Sequence, residues 1–454
     1  MPKVVLANPH SRAMTARPDD LPPASWLGCY VEAARMLWSL DVADIAVLPG
    51  PVDKEFLSYL TAMLDICGEG PAVLSMQDYR SIEWNPRANP ELFAAVRDRI
   101  SSSGFDRSDW TMSCYVRDRD IAGWERLLGL DTDAALYAQD LAALMNSKSV
   151  FRALALAADI PVPEGYVVTA GGELLDAVVE LLDRTGSVIV KQDQNSGGLG
   201  NTLITTDHEA TGCGVLHTLS LGPGDDPRGD LHRKLHEHNL PHGDVLDLPA
   251  GAAPAKFVVE VYQSGTRSLS SELYIPRSGM PVLRNYGEMR MEPRWTGFVI
   301  PPQDLPATVH TEFGAGSQQI ALFAQRLGYH GLINIDAMIG PDNRLSYTEF
   351  NGRAGGATNL DTIARRLLGQ NYLHNHVLLT RIGVPAPRTT ELRDHLEQAG
   401  IHFDTHRGSG VIIAADDPAT SRIEYLVIGR GHAEAHHIET ELKGLLTGLT
   451  NANA

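Results

Sequence analysis

Cysteine is scarce in this chain, whose 454 residues include only Cys29, Cys67, Cys114 and Cys213. The four are scattered and no two form a Cys-x-x-Cys pair. This usage is typical of reduced thiols, so we expect a cytoplasmic protein. Cys67 lies in an apolar helical pattern, which predicts a core residue rather than a nucleophile.

Long apolar runs are also missing. No stretch of about 20 apolar residues occurs, so a membrane-spanning helix is not expected. The first residues, MPKVVLANPH, lack the apolar segment and the cleavage site of a secretory signal. They predict a short buried strand followed by a loop, and we expect no membrane partner.

Positive charge is in short supply, because 38 lysines and arginines face 56 aspartates and glutamates, which gives a net charge of −18. A protein that neutralises nucleic-acid phosphates needs a basic surface, so a nucleic-acid partner is not expected. The hydrophobic content of 43% and the charged content of 21% are ordinary for a globular protein. The length indicates about three structural units.

Hydropathy along the chain predicts an α/β fold with α+β subdomains. Residues 3–7 and 45–48 have the pattern of short buried strands, while 26–40 and 54–66 carry apolar residues at the spacing of helices. This alternation predicts a parallel sheet with helices on its faces near the N-terminus. We divide the chain into four segments: 1–140, 141–255, 256–385 and 386–454.

The later segments combine strands, helices and a loop-rich stretch. Asn146 is predicted to cap a helix that ends near residue 158, and strands are expected at 166–169 and 187–192. Residues 222–255 are rich in Gly, Pro, His and Asp and are interpreted as an insertion or lid. The C-terminal segment predicts a small α+β lobe with three elements: strands at 410–415 and 422–428, and a helix over 432–446.

Two alternating runs carry the strongest local signal. Residues 333–339 and 344–351 flank Gly-Pro-Asp-Asn, which is typical of a hairpin turn. The simplest register sets Asp336 opposite Tyr347 and diagonal to Glu349. Alternation then places four polar side chains on one face: Asn334, Asp336, Glu349 and Asn351. Carboxylates at this distance can hold Mg²⁺ together with substrate phosphates, although a solvated hairpin face gives the same pattern.

A glycine-rich stretch follows a strand that ends in lysine. Lys191 closes an apolar run, and residues 195–201 read Asn-Ser-Gly-Gly-Leu-Gly-Asn. Glycines let backbone N–H groups approach an anion closely, so this arrangement predicts phosphate binding. It is not a Walker A motif, because no Gly-Lys-Ser/Thr opens a helix, and a flexible turn beside a surface lysine is the alternative.

Two cations stand at the start of the helix predicted after Asn146. Lys148 and Arg152 lie one turn apart, where positive charge opposes the helix dipole. A bound anion would account for them, and simple solvation of both side chains is the alternative.

These signals occur in an order that resembles the ATP-grasp superfamily over residues 140–360. The resemblance rests on the lysine helix, the second lysine with its glycine loop, a linker at 258–262, and the acidic pair followed by Asn351-Gly-Arg353. It implies an ATP-grasp fold with an N-terminal α/β domain, and an enzyme that uses Mg-ATP to convert a carboxylate into an acylphosphate for attack by an amine.

The resemblance also implies roles for single residues. Lys148 and Lys191 would bind the α- and β-phosphates, and Arg353, with Arg290 as a further candidate, would stabilise the transferring group or the carboxylate. Mg²⁺ would be held by three side chains: Asp336, Glu349 and Asn351. The remaining ATP contacts would come from the glycine loop and the linker: Ser196, Gly197, Gly198 and Gly200, with Glu260, Val261 and Tyr262.

One position departs from the superfamily pattern. Such enzymes often carry an acidic residue a few positions past the linker, where it holds the ribose hydroxyls. Arg267 stands in that region here, and the nearest later acid is Glu272, for which we predict a ribose or metal-side contact.

The whole chain resembles ATP-grasp peptide ligases of antibiotic biosynthesis in its length, its N-terminal unit, the run from Glu349 to Gly356 and its C-terminal lobe. That resemblance implies a guanidino-bearing modified amino acid as the small-molecule carboxylate substrate and the amino terminus of a peptide as the nucleophile. Ligation of free amino acids, phosphoryl transfer to a hydroxyl, and nucleotide binding without turnover are the alternatives. The oligomeric state stays open, with a homodimer as one option.

Overall fold

Aliphatic strands organise the molecule into sheets. A computed structural model describes residues 1–9, 11, 13–14, 31–68, 70–76, 84–130, 134–137, 139–195, 197–222, 226–238, 240, 255–417 and 419–452. Within these residues the strands form three sheets, of four, five and eight strands. The helices are α1 Lys54–Met63, α2 Pro90–Ser102, α3 Arg119–Leu128, α4 Ala134–Tyr137, α5 Leu141–Leu144, α6 Lys148–Ala157, α7 Gly172–Thr185, α8 Pro227–Glu237, α9 Ala307–Arg326, α10 Thr358–Leu368, α11 Thr389–Gln398 and α12 His432–Ala452.

The N-terminal sheet is parallel, as the alternation of strands and helices predicts. Its order is β3-β2-β1-β4, with β1 Lys3–Leu6, β2 Ile45–Leu48, β3 Ala72–Ser75 and β4 Thr111–Cys114. Val4 packs into one apolar core and Val5 into another, because helices and loops cover both faces. Strands buried on both faces carry continuous apolar runs, which is what the sequence shows here.

Two helices predicted in this segment end differently from expectation. The helix predicted at 54–66 begins behind Asp53, whose carboxylate accepts hydrogen bonds from two backbone N–H groups, and it ends at Met63. Cys67 therefore lies beyond the helix and is exposed, so its prediction as a core residue was wrong. Of the helix predicted at 26–40, residues 31–35 are helical and Met36–Ser39 form a 3-10 turn, while 26–30 lie outside the described residues.

The five-stranded sheet has the order β5-β9-β6-β7-β8, with β5 Gly165–Thr169, β6 Ser187–Gln192, β7 Asn201–Thr205, β8 His217–Ser220 and β9 Lys256–Val261. The strands predicted at 166–169 and 187–192 are confirmed. Part of the stretch predicted as a lid is instead a core element, because α8 buries Leu231 and Leu235 against this sheet. The rest of that stretch, 223–225, 239 and 241–254, lies outside the described residues.

The eight-stranded sheet has the order β14-β13-β10-β11-β12-β15-β17-β16. Its strands are β10 Arg267–Ile275, β11 Val282–Met291, β12 Trp295–Ile300, β13 Gly331–Ile339, β14 Leu345–Asn351, β15 Val377–Pro385, β16 Gly410–Asp417 and β17 Arg422–Gly429. The predicted C-terminal strands and helix are confirmed, and each extends further than expected. Because β17 pairs with β15, these strands continue the large sheet.

None of the helices in the described part of the chain combines the length and the apolar character needed to span a bilayer.

A buried ion pair fastens the C-terminal helix to the large sheet. Arg290 of β11 donates to both carboxylate oxygens of Glu439 in α12, with 3.0 Å from Nη2 to Oε2. Glu439 also accepts from Tyr425 at 2.8 Å and from Lys443 at 3.0 Å. Burial alone would raise the pKa of the Glu439 carboxyl, but Arg290 and these donors lower it to about 2. The guanidinium of Arg290 is thus used in packing.

We predict that Arg290→Met lowers the free energy of unfolding by about 3 kcal/mol, because Glu439 loses its main partner while it stays buried. Urea denaturation measures this loss. The matched control is Arg344→Met, because Arg344 is 86% exposed and its ion pair with Asp342 spans 4.0 Å. The control should stay within about 0.5 kcal/mol of the wild type. Equal stabilities of the two variants would contradict a structural role for Arg290.

Candidate functional site

A cavity of about 670 Å³ is lined by residues of the five-stranded sheet, the eight-stranded sheet and the N-terminal segment. Most of the residues predicted to bind ATP and metal line it: Lys148, Lys191, Gly197, Gly198, Glu260, Val261, Tyr262, Asp336, Glu349, Asn351 and Arg353. Residues that are distant in sequence are therefore brought to one place.

The acidic pair lies on the predicted hairpin but in a closer register. Asp336 pairs directly with Glu349, and Ala337 pairs with Tyr347. The predicted register, with Asp336 opposite Tyr347, was wrong because a β-bulge leaves Thr348 as an extra residue in β14. The bulge sets the two carboxylates directly across from each other, where Cβ atoms stand roughly 4.5–5.5 Å apart. On the opposite face Ile333, Ile335 and Ile339 enter a core, as alternation predicts.

The two carboxyl groups have opposite electrostatic environments. Burial and the charge of Glu349 raise the pKa of Asp336, whose Oδ1 also accepts a hydrogen bond from Ser270 at 2.7 Å. Burial would raise the pKa of Glu349 as well, but Lys148, Lys191 and Arg353 outweigh it and lower that pKa. Lys148 Nζ lies 3.0 Å from Glu349 Oε2. The positively charged side chains of the site therefore stabilise the ionised form of Glu349 most strongly.

The oxygen donors of this hairpin fit Mg²⁺. Two carboxylates face each other, and the Asn351 side chain lines the same cavity. Across the described ranges, no group of three or more His, Cys, Asp or Glu side chains could hold an ion. A cation here would need further oxygen ligands from a second molecule, which is how Mg²⁺ binds together with nucleotide phosphates.

Helix α6 presents Lys148 to the acidic pair. Ser147 caps this helix, because its Oγ accepts from the backbone N–H of Val150 at 3.1 Å. The prediction that Asn146 is the cap was wrong, since Asn146 donates to the carbonyl of Ala142 instead. Lys148 is 7% exposed, and its Nζ donates to the Asn195 carbonyl at 2.7 Å. One lysine thus joins the helix start, the glycine loop and the acidic pair.

Glu260 bridges two cations of the site. Its Oε1 lies 2.8 Å from Arg152 and its Oε2 lies 2.6 Å from Lys191. Arg152 is therefore engaged by a carboxylate and does not line the cavity, which contradicts its prediction as an anion ligand. Each oxygen of Glu260 holds one cation, so its side chain positions Lys191 in the cavity.

The first two backbone N–H groups after Glu260 donate hydrogen bonds to carbonyl groups of the protein. Val261 donates to the Glu164 carbonyl at 2.9 Å, and Tyr262 donates to the Ser187 carbonyl at 3.0 Å. Both residues line the cavity, and so does Gln263, which sequence reasoning missed although it directly follows the linker.

The glycine loop contributes two of its predicted members to the cavity. Gly197 and Gly198 line it, both at positive φ, and a Cβ on Gly198 would stand 2.7 Å from the Gly214 carbonyl oxygen. Gly200 does not line the cavity, because its carbonyl accepts from Gln192 at 3.0 Å where the hairpin closes. Ser196 lies outside the described residues.

A second loop that the sequence did not signal covers the same cavity. The backbone N–H of Cys213 donates to the Tyr262 hydroxyl at 2.8 Å. The N–H of Gly214 donates to the Pro293 carbonyl at 2.8 Å, in the turn between β11 and β12. This loop thereby connects the two larger sheets across the cavity.

Comparison with known proteins identifies the fold. Residues 33–130 match the family described as Pre ATP-grasp domain, and residues 391–442 match the family described as PGM1 C-terminal domain. None of the curated proteins matches the sequence.

Several solved structures superpose over almost the whole chain. N5-carboxyaminoimidazole ribonucleotide synthetase in its ADP complex gives a TM-score of 0.54 at 11% identity, over 97% of this chain and 96% of that one. Biotin carboxylase from Campylobacter jejuni gives 0.53 at 12% identity, over 95% and 88%. L-amino acid ligase from Bacillus licheniformis gives 0.50 at 11% identity, over 98% and 97%. The chain has the ATP-grasp fold.

Besides Gly200, two further residues predicted for the ATP-grasp site do not reach the cavity. Glu272 is buried beneath it and accepts hydrogen bonds from Asn285 at 2.9 Å and from Thr358. Burial raises the pKa of Glu272 to about 7. A ribose contact is contradicted, because both oxygens point into protein. The catalytic role predicted for Arg290 is contradicted too, because Glu439 holds its guanidinium away from the cavity.

Several ATP-grasp cavity residues carry no signal in the sequence. Arg35, Tyr115 and Trp295 line the cavity. Arg35 and Tyr115 are far apart within the N-terminal segment, Trp295 lies in the third segment, and none of them belongs to a local motif, so only tertiary packing brings them together.

Cys213 offers a direct probe of nucleotide binding in this cavity. It is exposed and lines the cavity, whereas Cys67 is exposed but does not line it. We predict that a Mg²⁺ complex of a non-hydrolysable ATP analogue slows alkylation of Cys213 by roughly an order of magnitude at saturation. Alkylation of Cys67 in the same sample should not change.

Peptide mass spectrometry measures both rates, and Cys67 serves as the internal control. Partial shielding from solvent raises the pKa of the Cys213 thiol, so the reaction is run at alkaline pH. Equal alkylation of Cys213 with and without the nucleotide would contradict this binding mode.

Proposed function

We propose that this protein is an ATP-dependent carboxylate–amine ligase. The observation that carries the proposal is the meeting of two buried lysines with the directly opposed Asp336 and Glu349 in one cavity. Lysines neutralise phosphates, and paired carboxylates hold the cation that phosphates bring with them. The likeness to structures described as ligase, synthetase and carboxylase supports this choice.

Each part of the cavity has a role in the proposal. Lys148 and Lys191 bind the phosphates of ATP, and the backbone of Gly197 and Gly198 covers them. The base lies at the linker, with Val261, Tyr262 and Gln263 around it. Asp336, Glu349 and Asn351 would hold Mg²⁺, which would neutralise the charge of the phosphates during transfer.

The chemistry then proceeds in two steps. An oxygen of the substrate carboxylate attacks the γ-phosphorus, the bond to the bridging oxygen breaks, and ADP leaves an acylphosphate behind. An amine attacks the acyl carbon, phosphate departs, and the amine proton is lost to solvent. Arg353 lies beside Asn351, with 3.2 Å from its Nη2 to the amide oxygen, and it stabilises the charge on the transferring group.

The substrates proposed are a guanidino-bearing modified amino acid and the amino terminus of a peptide. This finer assignment rests on the resemblance of the whole sequence to the peptide ligase of pheganomycin biosynthesis, and the role follows as assembly of a peptide antibiotic precursor. A net charge of −18 is compatible with a cationic donor. A cytoplasmic location is part of the proposal, on the basis of the scattered cysteines.

A substrate panel tests the proposal. Mg-ATP is supplied with amino acids and guanidino acids, each with and without a short peptide, and phosphate release and product masses are measured. A product equal to acid plus amine minus water, with ADP and phosphate, is expected. A dipeptide formed from free amino acids would support a ligase, but its acceptor would then be a free amino acid and not a peptide. A phosphorylated acceptor without condensation would contradict the ligase proposal.

We predict that Glu349→Ala reduces ATP turnover below about one hundredth of the wild-type rate, because the cation loses a ligand beside the γ-phosphate. Circular dichroism checks that the variant is folded. Glu397→Ala is the matched control, since Glu397 is 55% exposed on α11. It should turn over at the wild-type rate. Unchanged ATP consumption in Glu349→Ala would remove the metal assignment.

A further inference from the structure

Several buried N–H donors in the cavity have no partner among the described residues, and of the residues that carry them only Arg353 has a part in the steps above. Arg35 Nη1, Trp295 Nε1 and Arg353 Nε are buried and have no hydrogen-bond partner within the described part of the chain. All three residues line the cavity. We call Arg35, Trp295 and Arg353 the donor cluster.

The donor cluster is continuous in space. The Arg35 guanidinium lies over the Trp295 ring, 5.6 Å from its centroid. The Arg353 guanidinium lies 6.0 Å from the centroid of Tyr115, and Tyr115 also interacts electrostatically with Arg35. The cluster therefore begins at Arg353, which contacts Asn351, and continues past Tyr115 to Arg35 and Trp295.

The guanidinium of Arg35 is held in place through its Nε, while its Nη1 remains without a hydrogen-bond partner in the described ranges. It is 5% exposed, and its Nε donates to Glu424 Oε2 at 2.6 Å. Glu424 is fully buried on β17, so it holds the guanidinium in one orientation. Glu32 is the other carboxylate nearby, but its Oε1 stands 3.9 Å from Nη1, which is beyond hydrogen-bond distance.

The backbone beside the cluster adds to its positive character. A Cβ on Gly356 would stand 2.5 Å from the Trp295 ring, so the absence of a side chain lets the indole lie against this backbone. Helix α10 begins directly after it, and Ala357 provides no side-chain cap. A helix N-terminus carries a partial positive charge, which adds to the charge of Arg353.

Such a site recognises a group that only accepts hydrogen bonds. Each unpartnered atom of the cluster is a donor, and a carboxylate is the common biological group that accepts several at once. In the proposed steps the reacting carboxylate attacks the γ-phosphorus, so it must lie against that phosphate. The proposed ligation brings one further molecule to the cavity, the amine substrate, so we assign a second carboxylate bound at Arg35 and Trp295 to that molecule.

We infer that the donor cluster binds the carboxylate of the amine substrate. The acceptor is then an amino acid or a short peptide with a free C-terminal carboxylate, and its amide is a poor substrate. This inference rests on the proposed ligase function, which supplies the acceptor.

Binding of matched acid and amide pairs tests the inference without turnover. Amino acids, dipeptides and tripeptides are titrated by calorimetry against the full-length protein, each beside its C-terminal amide. Because hydrogen bonds to charged groups are the strong ones, the wild type should bind at least one acid about tenfold or more tightly than its amide. The length of the best acid distinguishes an amino acid from a peptide.

Three variants locate the preference. Trp295→Phe removes one donor and keeps an aromatic ring, and it should reduce the acid-to-amide ratio by about threefold to tenfold. Trp110→Phe is the matched control, because Trp110 Nε1 is also buried without a partner but lies in the N-terminal core. Its ratio should equal that of the wild type. Arg35→Met should remove the preference altogether.

The outcomes separate this inference from the proposed function. An acid preference that Trp295→Phe weakens supports the donor cluster even if the panel yields no ligated product. Ligation with equal use of acids and amides keeps the ligase and overturns the cluster. Equal effects of Trp295→Phe and Trp110→Phe also overturn it. If Arg35→Met fails to fold because Glu424 loses its partner, the two tryptophan variants decide.

Discussion

Asp336 and Glu349 face each other across a hairpin, so their carboxylates repel. Much of the surrounding structure compensates this repulsion. The bulge in β14 creates the direct pairing, so the strain is built into the strand register. Lys148 compensates Glu349 at 3.0 Å, and Ser270 donates to Asp336. Because the repulsion between the two buried carboxylates still has an energetic cost within the protein alone, the pair is suited to bind a cation that arrives with phosphates.

The same electrostatic logic extends to the second lysine. Lys191 is held by Glu260, whose other oxygen is bound by Arg152, so both of these cations have a defined partner. These contacts tie α6 to the five-stranded sheet, while Lys148 ties α6 to the large sheet. The geometry of the site therefore depends on the packing of both sheets against one helix.

Local pattern was enough for much of this architecture. Burial on both faces made β1 and β2 visible as apolar runs, and alternation placed the isoleucines of β13 on the face opposite the acids. The register of that hairpin could not be predicted from the sequence, because a bulge shifts the pairing and leaves no sign in the alternation of polar and apolar residues. Arg290 was assigned wrongly because its partner, Glu439, lies 149 residues away in sequence. Arg35 and Trp295 were missed for the same reason, since tertiary contacts alone give them their place.

The central claim is that this cavity phosphorylates a carboxylate, and oxygen-isotope transfer tests it most directly. The acyl donor is supplied with ¹⁸O in its carboxylate, together with Mg-ATP and the amine, and the released phosphate is weighed. The account predicts one ¹⁸O atom in each phosphate, because the acylphosphate breaks between carbon and oxygen when the amine attacks. Unlabelled phosphate accompanying product, or AMP in place of ADP, would contradict it.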